Sequence, residues 1–298
     1  MVQTSIHPYA ASAYARALAG TDAVAAPEWG SHVLSRPIPE SGLRDAIGVY
    51  PMTPIASDAD IGAGLQRLAA EGLVSVVLVP DPLFSPPPER LAEAFCLCRP
   101  FKTHYVIDRQ ASPYAPTKHH RQEIRRAQRR CRVEVVALAD HLQTWSALYD
   151  GLKARHAISG LAAFSDGYFK AMAEDPRITA LAAFVDQEVG AMALWFEHEG
   201  VAYNHLGAAN ALGYANGANY ALYDAAVSHF DGADRLNLGG AAGSDDDPHD
   251  GLAFFKKGFA NAEAKAMLCG AVLDRARYAD LAQGAPANGY FPSYRSAR

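Results

Sequence analysis

The chain has 298 residues, of which 50% are hydrophobic and 20% are charged, the composition of an ordinary globular protein with room for a substantial core. Its formal net charge of −5 argues against a protein that coats nucleic acid, although a local basic patch can still bind phosphate. Without an apolar run of about 20 residues or a recognisable signal peptide, the sequence predicts a cytoplasmic protein with no membrane span.

The cysteines and the common catalytic motifs exclude several enzyme classes. Cys96, Cys98, Cys131 and Cys269 include no CxxC pair, so free thiols are expected rather than zinc ligands. The sequence also lacks a Gly-x-Ser-x-Gly elbow, a Walker loop and an HExxH motif. Hydrolases, nucleotide kinases and zinc enzymes are therefore disfavoured.

In the first half of the chain, apolar periodicity predicts alternating helices and strands. A short helix is expected within residues 1–20, and the proline-containing stretch 21–40 is expected to be loop and edge structure. Asp58 is the candidate N-cap of the next helix. The further predicted helices are 58–71 and 89–98, and the predicted strands are 47–52, 73–79 and 104–108. This alternation indicates an α/β layered domain.

A strongly basic helix is predicted at 118–131, after a proline-containing boundary at 112–117. Arg121, Arg125 and Arg129 are spaced by four residues and share one face of this helix, whereas apolar residues occupy the opposite face. Two interpretations stay open. Arg125 and Arg129 bind the phosphates of a substrate, or the helix is a linker with a solvated face.

The second half predicts a run of strands followed by a helix and two further strands. The predicted strands are 133–138, 178–185, 189–197, 201–208, 236–238 and 266–273, and the predicted helices are 142–153, 168–174 and 218–230. The tail from residue 283 contains two glycines and two prolines and is expected to be irregular.

The stretch 203–259 combines these elements into a strand–loop–helix–strand unit that ends in a basic, aromatic turn. In such a unit the loop after the first strand lies at the N-terminus of the helix, where free backbone N–H groups can hold an anion. The second strand ends in Gly239 and Gly240, so the backbone can approach a ligand closely there. This combination predicts a site for a phosphorylated or acyl-activated ligand.

Four pieces of this stretch carry a family resemblance. They are a histidine-bearing strand, YNHLGAAN; a helix preceded by asparagine, GANYALYDAAVSHF; a strand ending in glycines, GADRLNLGGAAG; and the turn DGLAFFKKGF. Their order and spacing resemble the C-terminal half of the Fem-type aminoacyltransferases, which build peptidoglycan bridges, and of their GNAT-like acyltransferase relatives.

The resemblance implies an α/β, GNAT-like acyltransferase fold, with two tandem GNAT-like domains of which the N-terminal one is degenerate. On that basis, residues 1–116 are the degenerate domain, 117–283 the transferase domain and 284–298 an irregular tail. It also implies transfer of an acyl or aminoacyl group to an amine, with acyl-CoA or aminoacyl-tRNA as the co-substrate and no permanently bound cofactor or metal.

In GNAT enzymes, the loop before the long helix cradles the coenzyme A pyrophosphate. The corresponding residues here are 214–219, and the resemblance makes Asn216, Gly217, Asn219 and Tyr220 candidate donor-binding residues. Tyr214 stands where the family has Arg or Gln, which weakens the case for acyl-CoA. The alternative is an ordinary helix with Asn216 or Asn219 as its N-cap.

Lys256 and His205 are the candidate catalytic residues. Lys256 is flanked by Phe255 and other aromatic residues, which lower the local dielectric, so its charge acts strongly on an oxyanion or a phosphate. The resemblance assigns this lysine and Phe255 to the donor site, whereas the alternative is a surface lysine whose stem covers apolar residues. His205 either takes the proton of the attacking amine or is a core histidine.

Two amides and one acidic loop complete the candidate residues. Asn204 and Asn237 lie within otherwise apolar strands, so each is expected to point to a ligand or to a backbone partner. Asn237, Gly239 and Gly240 together predict a ligand-binding strand end. The acidic loop 244–250 contains oxygen ligands for a hard cation but lacks the spacing of a calcium loop, so a solvated loop is expected.

Two function classes follow. The first is an N-acyltransferase or aminoacyltransferase in which an amine attacks an activated carbonyl directly. Its acceptor is a small metabolite, a saccharide or a cell-wall precursor, and the resemblance implies that a tRNA donor is contacted at its acceptor end. The second is a catalytically silent ligand-binding module with the same fold. Donor, acceptor and oligomeric state stay open.

Overall fold

The computed structural model describes residues 6–241, 250–286 and 289–296. The α-helices of this part are Ser12–Ala19 (α1), Ile61–Ala70 (α2), Pro88–Ala94 (α3), Lys118–Gln128 (α4), Leu142–His156 (α5), Asp166–Ala173 (α6), Ala211–Asn216 (α7), Ala218–His229 (α8), Gly251–Lys257 (α9) and Arg275–Leu281 (α10). The strands are Ala23–Ala26 (β1), Ser31–Pro37 (β2), Arg44–Gly48 (β3), Leu73–Leu78 (β4), Leu97–Asp108 (β5), Arg132–Val136 (β6), Ile178–Val185 (β7), Glu188–His198 (β8), Val201–Ala209 (β9), Arg235–Asn237 (β10) and Ala262–Val272 (β11).

The chain forms two compact units. The first consists of Met1–Lys102 and Lys265–Arg298, and the second is Thr103–Ala264. Both unit boundaries fall inside strands, one in β5 and one in β11. These bounds differ from those of the predicted domains. The prediction of two tandem GNAT-like copies stays a prediction.

The first unit is built on β4, whose six residues are all buried, as its apolar sequence, interrupted only by Ser75, predicts. β4 pairs in parallel with β3 and antiparallel with β11, and β1 and β2 continue the sheet beyond β3. Residues 21–40, predicted to be loop and edge structure, contain the edge strand β1 and its neighbour β2, so the edge part of the prediction is confirmed and the loop part is wrong. Alanines with little strand propensity form the short β1, and Pro37 ends β2 instead of excluding it.

The second unit is a sheet with the strand order β5-β10-β9-β8-β7-β6. β9 and β10 are parallel, and α8 connects them, so the predicted strand–helix–strand unit is confirmed. The antiparallel run of β7, β8 and β9 is confirmed as well. Its strands begin and end within one residue of their predicted positions.

Helices cover both faces of this sheet. The core on one face joins residues of α4 and α8 to inward-facing side chains of β5, β7, β8, β9 and β10, including Ile124, Trp195, Leu222 and Leu236. On the other face, α5 and α6 pack through ring contacts of Trp145 and Tyr149 with Phe169. The buried face of α4 is the predicted one.

A β-bulge interrupts β9 at His205. Trp195 pairs with Asn204 and the preceding residue, Leu194, pairs with Leu206, so three consecutive residues of β9 lie opposite two of β8. Such an inserted residue changes which face the following side chains take. Ala202 and Ala209 both belong to the α8-side core, although seven positions separate them.

Several helix bounds differ from prediction. Asp60, rather than Asp58, is the N-cap of α2 and accepts the N–H of Ala63. The predicted loop before Gly217 contains α7, with Asn210 as its N-cap. The predicted basic, aromatic turn is the helix α9, which begins after Asp250. The tail expected to be irregular follows a further helix, α10.

None of the helices in the described ranges combines the length and the apolar character that crossing a bilayer requires.

Candidate functional site

The candidate site begins where β9 and β10 part. The two parallel strands pair at three positions, the last of which joins Tyr203 to Asn237. β10 then ends in a turn through Gly239 and Gly240, whereas β9 continues to Ala209. Beyond this point the two strands are no longer paired with each other. Ligands bind at such carboxyl ends of strands in open sheets with parallel strands.

Asn237 presents an unpartnered hydrogen-bond donor at this point. Only 2% of its surface is exposed. Its Oδ1 accepts the backbone N–H of Gly239 at 2.9 Å and lies 3.2 Å from Nδ1 of His104. Because the Gly239 N–H can only donate, the oxygen must face it, and Nδ2 points elsewhere. Nδ2 is buried and has no partner among the described residues, although an unsatisfied buried donor costs about 1–3 kcal/mol.

The glycine turn after Asn237 is held by its neighbours. Gly239 has a φ of +77°, a conformation that favours glycine. Its carbonyl accepts the N–H of Tyr105 at 3.1 Å, and the N–H of Leu238 donates to the Tyr105 carbonyl at 2.9 Å. A side chain at Gly239 would come within 3.1 Å of the ammonium of Lys256.

Lys256 is buried at this turn, with 8% of its surface exposed. Its Nζ donates to the carbonyl of Gly240 at 2.8 Å. A buried cation is costly unless polar groups surround it, so its burial here excludes the interpretation of a surface lysine. The structure thus brings together four predicted residues: Asn237, Gly239, Gly240 and Lys256.

His120 fixes the helix that carries Lys256. Its ring nitrogen Nε2 donates to the carbonyl of Phe255 at 2.8 Å, and Nδ1 lies 3.0 Å from Oγ1 of Thr117. The ring is 1% exposed, and burial is the largest cause that lowers the pKa of His120. Phe255 packs by its edge against Tyr220 and Tyr223. Phe255 and Tyr220, predicted as donor-site residues, therefore contribute to this packing.

Gly258 is required by the same contact, because a Cβ at this position would overlap the His120 ring. We expect Gly258→Ala to lower the free energy of unfolding by about 2–3 kcal/mol, measured by urea denaturation. Gly151→Ala is the matched control, since a Cβ there meets nothing within 4 Å and alanine inside α5 should stabilise by roughly 0.5–1 kcal/mol. Equal stabilities of the two variants would contradict the assigned role of Gly258.

Asn204 lies on the α8 face of the sheet, with Tyr223 and Trp195. The Tyr223 hydroxyl donates to Asn204 Oδ1 at 2.9 Å, and burial raises the pKa of Tyr223. The Nδ2 of Asn204 and the Nε1 of Trp195 are buried without a hydrogen-bond partner in the described chain. Asn237 projects to the opposite face, because its neighbours Leu236 and Leu238 both belong to the α8-side core.

His205 projects away from α8, towards α6. Its Nε2 lies 2.6 Å from the hydroxyl of Tyr168, and the rings of Phe164 and Phe196 flank it. Burial lowers the pKa of His205 to about 3, whereas an effective general base has a pKa near the working pH. A base role for His205 stays a prediction, and this environment does not support it.

The residues predicted to bind a pyrophosphate lie at the junction of α7 and α8. Gly217 ends α7 and precedes α8 with a φ of +71°, and its N–H donates to carbonyls of α7. The Tyr220 N–H donates to the Gly217 carbonyl at 2.9 Å. Asn216 is no N-cap, since its side chain donates to the Leu212 carbonyl at 3.0 Å. Asn219 is half-buried on the first turn of α8.

The basic face of α4 is exposed. In the ranges that the structure covers, the cationic side chains of α4 and of the two arginines that follow it form no ion pair with a carboxylate. These residues are Lys118, Arg121, Arg125, Arg126, Arg129 and Arg130. Arg125 and Arg129 are therefore open to solvent and to any anionic partner. The opposite side of α4 packs against α8, where Gln128 Nε2 donates to Asp224 at 2.8 Å.

Several residues that matter here were not found from the sequence. The role of His120 has one local signal, a threonine N-cap three residues earlier, but its partner Phe255 is 135 positions away. His104 and Tyr223 contact the predicted asparagines and carry no local signal at all. The acidic stretch 244–249 lies outside the described residues. Within them, no group of three or more His, Cys, Asp or Glu side chains is placed to hold a metal ion.

The sequence matches no protein-family model and no curated protein. Solved structures are similar to it in fold. FemX has a TM-score of 0.62 at 12% identity, covering 92% of this chain and 94% of FemX. The C-terminal domain of a putative lysylphosphatidylglycerol synthetase from Agrobacterium fabrum has a TM-score of 0.58 at 18% identity, covering 83% and 82%. L-PGS from Bacillus licheniformis has a TM-score of 0.58 at 14% identity, covering 92% and 95%.

At these identities the likeness concerns the fold. The expected α/β fold is confirmed, and the chain has the fold that FemX and these synthetases share.

Proposed function

We propose that this protein transfers an acyl or aminoacyl group from an activated donor to an amine. The observation that carries the proposal is the buried, unpartnered Nδ2 of Asn237 at the parting of β9 and β10. A preorganised donor with no acceptor among the described residues suits an oxygen atom that a ligand brings. In acyl transfer this oxygen is the carbonyl oxygen, which becomes negatively charged when the amine attacks.

Lys256 adds a positive charge at the same turn. Gly239 lies close to both residues, because its N–H donates to Asn237 Oδ1 at 2.9 Å and a Cβ at this position would come within 3.1 Å of the Lys256 ammonium. In a site from which water is excluded, such a charge acts strongly on an oxyanion. The charge and the amide donor together are suited to stabilise the tetrahedral intermediate.

The reaction balances without a covalent enzyme intermediate. The amine nitrogen forms a bond to the carbonyl carbon, and the bond from that carbon to the oxygen or sulfur of the donor breaks. The proton that the attacking nitrogen loses is gained by the leaving alkoxide or thiolate. No basic side chain of the described chain needs to keep it.

Aminoacyl-tRNA fits the chain better than acyl-CoA as the donor. At the junction of α7 and α8, the N–H groups of Gly217 and Tyr220 already donate to backbone carbonyls. These two groups are therefore not available to bind a pyrophosphate. By contrast, α4 and the two arginines that follow it carry six exposed cations that form no ion pair within the described residues. Its first turn contacts the helix of Lys256 through His120 and Phe255, so a bound acceptor stem would approach the site. The acceptor is an amine of a small metabolite, a saccharide or a cell-wall precursor.

A transfer assay tests the proposal directly. The protein is incubated with tRNA charged with radiolabelled amino acids and with a panel of amines that includes amino sugars and cell-wall precursors. We expect the label to move into a product that resists mild alkaline hydrolysis, as an amide does and an ester does not. Binding of charged tRNA without any loss of the ester would favour the silent ligand-binding module. Micromolar binding of coenzyme A by calorimetry, lost in Gly217→Asp, would instead favour an acyl-CoA donor.

The basic face of α4 has its own test. We expect Arg125→Gln with Arg129→Gln to weaken tRNA binding roughly tenfold at physiological salt, and to lower the slope of log Kd against log salt concentration by about 2. The reason is that each arginine releases counterions when it contacts a phosphate. Filter binding across a salt series measures both effects.

A charge-matched control separates this effect from the loss of net charge. Arg99 and Arg275 are exposed and lie outside the second unit, so Arg99→Gln with Arg275→Gln removes the same charge elsewhere. The control should keep the slope of the wild type. If both double variants behave alike, α4 is a solvated helix rather than a binding surface.

A further inference from the structure

A pair of thiols lies in contact inside the first unit. The Sγ atoms of Cys98 on β5 and Cys269 on β11 are 3.7 Å apart. Cys269 is fully buried, whereas Cys98 is partly exposed. Cys96, an exposed neighbour, has its own contact, since its thiol lies 3.3 Å from the Gly270 carbonyl. Cys131, the remaining cysteine of the chain, belongs to the second unit.

We propose that Cys98 and Cys269 are a site of reversible oxidation, at which a hydroperoxide or a small-molecule disulfide joins them in a disulfide bond. The geometry requires little movement. The sulfur atoms must close from 3.7 Å to about 2.05 Å. Neighbouring strands hold facing residues at Cα separations of about 4.5–5.5 Å, inside the range of about 4.4–6.8 Å that a disulfide needs.

Exposure sets the order of the two steps. A hydroperoxide reaches the partly exposed Cys98 first and oxidises its thiol to a sulfenic acid, while the peroxide is reduced to an alcohol or to water. The Cys269 sulfur then attacks the Cys98 sulfur, and the hydroxyl of the sulfenic acid leaves as water with the proton of Cys269. Burial is the largest cause that raises the pKa of Cys269, and the nearby Cys98 adds to it, so Cys269 stays a thiol until its neighbour is oxidised.

A small-molecule disulfide leads to the same product. Cys98 exchanges with it to form a mixed disulfide and releases one thiol, and Cys269 then displaces the second thiol. Two electrons pass from the protein to the reagent in either case. The bond would link positions 171 residues apart. Because it restricts the unfolded chain, the oxidised protein should resist denaturant better than the reduced protein.

Peptide mapping tests the proposal on the full chain. The protein is treated with hydrogen peroxide or with oxidised glutathione, digested without reduction and analysed by mass spectrometry. We expect a cross-linked pair of peptides that contain Cys98 and Cys269, with a mass lower than the sum of the two peptides by two hydrogen atoms. Dithiothreitol should separate the two peptides. The oxidised protein should also show a higher urea midpoint than the reduced protein.

The variants locate the bond. Cys98→Ser should abolish both the cross-link and the midpoint shift, and so should Cys269→Ala, which keeps a small side chain in the core. Cys96→Ser and Cys131→Ser should keep both. A stable glutathione adduct on Cys98, or a cross-link that involves Cys96 instead, would overturn the proposal. So would complete oxidation of Cys96 with the Cys98 and Cys269 thiols unchanged.

Discussion

Lys256→Met is expected to lower the rate of acyl transfer by ~10²–10³-fold, which corresponds to about 2.7–4 kcal/mol of transition-state stabilisation. Methionine keeps much of the length and the apolar stem of lysine but removes the ammonium that donates to the Gly240 carbonyl. The lost charge no longer stabilises the oxyanion. Single-turnover rates with saturating donor measure the effect, because they separate the chemical step from binding.

The adjacent lysine supplies the control. Lys257 is exposed whereas Lys256 is buried, so Lys257→Met removes the same charge one position away and should leave the rate within twofold of the wild type. A fold control is needed as well, since Lys256→Met leaves the Gly240 carbonyl without its partner, at a cost of about 1–3 kcal/mol in stability. A folded Lys256→Met protein with wild-type turnover would remove Lys256 from the mechanism.

Asn237→Asp is expected to reduce the rate of transfer by ~10²-fold or more while the fold is kept. Aspartate retains an oxygen for the N–H of Gly239 and for His104, but it replaces the unpartnered Nδ2 donor with an oxygen that repels a developing oxyanion. The expected loss therefore lies in the chemical step. The ratio of kcat between variant and wild type measures it, together with circular dichroism of the folded protein.

Asn261→Asp is the matched substitution. The Nδ2 of Asn261 donates to the carbonyls of Asp108 and Ser112, so this amide is used entirely within the chain. The variant should lose stability without a change in kcat. If Asn237→Asp behaves in the same way, with a lower melting temperature and an unchanged kcat, then Asn237 only supports the turn and the proposed donor must be sought elsewhere.

The sequence was most informative where one pattern continued over a whole element. The strands β7, β8 and β9 and the helix α8 have the predicted bounds to within one residue, because each is a mostly apolar run with polar or glycine-containing turn residues on both sides. Lys256 and the glycine turn were found by combining a family resemblance with the conformational freedom of glycine. Both signals are local in the sequence. In the structure, Lys256 contacts the glycine turn by donating to the Gly240 carbonyl.

The errors concern short elements and long-range contacts. The six-residue α7 is too brief for a helical period to be recognised, and it contains Gly213. That glycine is required for packing, since a Cβ there would overlap the backbone of Gly190 in β8. Similarly, the FFKK run suggested a turn, although Asp250 caps a helix there by accepting the N–H groups of Leu252 and Ala253. Contacts such as His120 with Phe255 depend on the tertiary fold alone.

The environment of His205 could not be predicted because strict alternation does not hold in β9. Asn204 contacts Tyr223 of α8 and His205 contacts Tyr168 of α6, as adjacent strand residues should. The residues of β9 beyond the bulge share a face either with Asn204 or with His205, and the inserted residue decides which. Nothing in the run of residues 201–209 marks that insertion.

The bulge in β9 has a consequence for how this chain is compared with its relatives. A homologue with one residue fewer between Tyr203 and Gly207 would have a regular strand, and its residues beyond that point would project to the opposite side of the sheet. An ungapped alignment would then equate a side chain beneath α8 with one beneath α6. It would assign a ligand-contacting role to a residue on the wrong face of the sheet. Functional residues beyond Asn204 should therefore be assigned to such homologues by superposition of the strands, with a one-residue gap placed at His205.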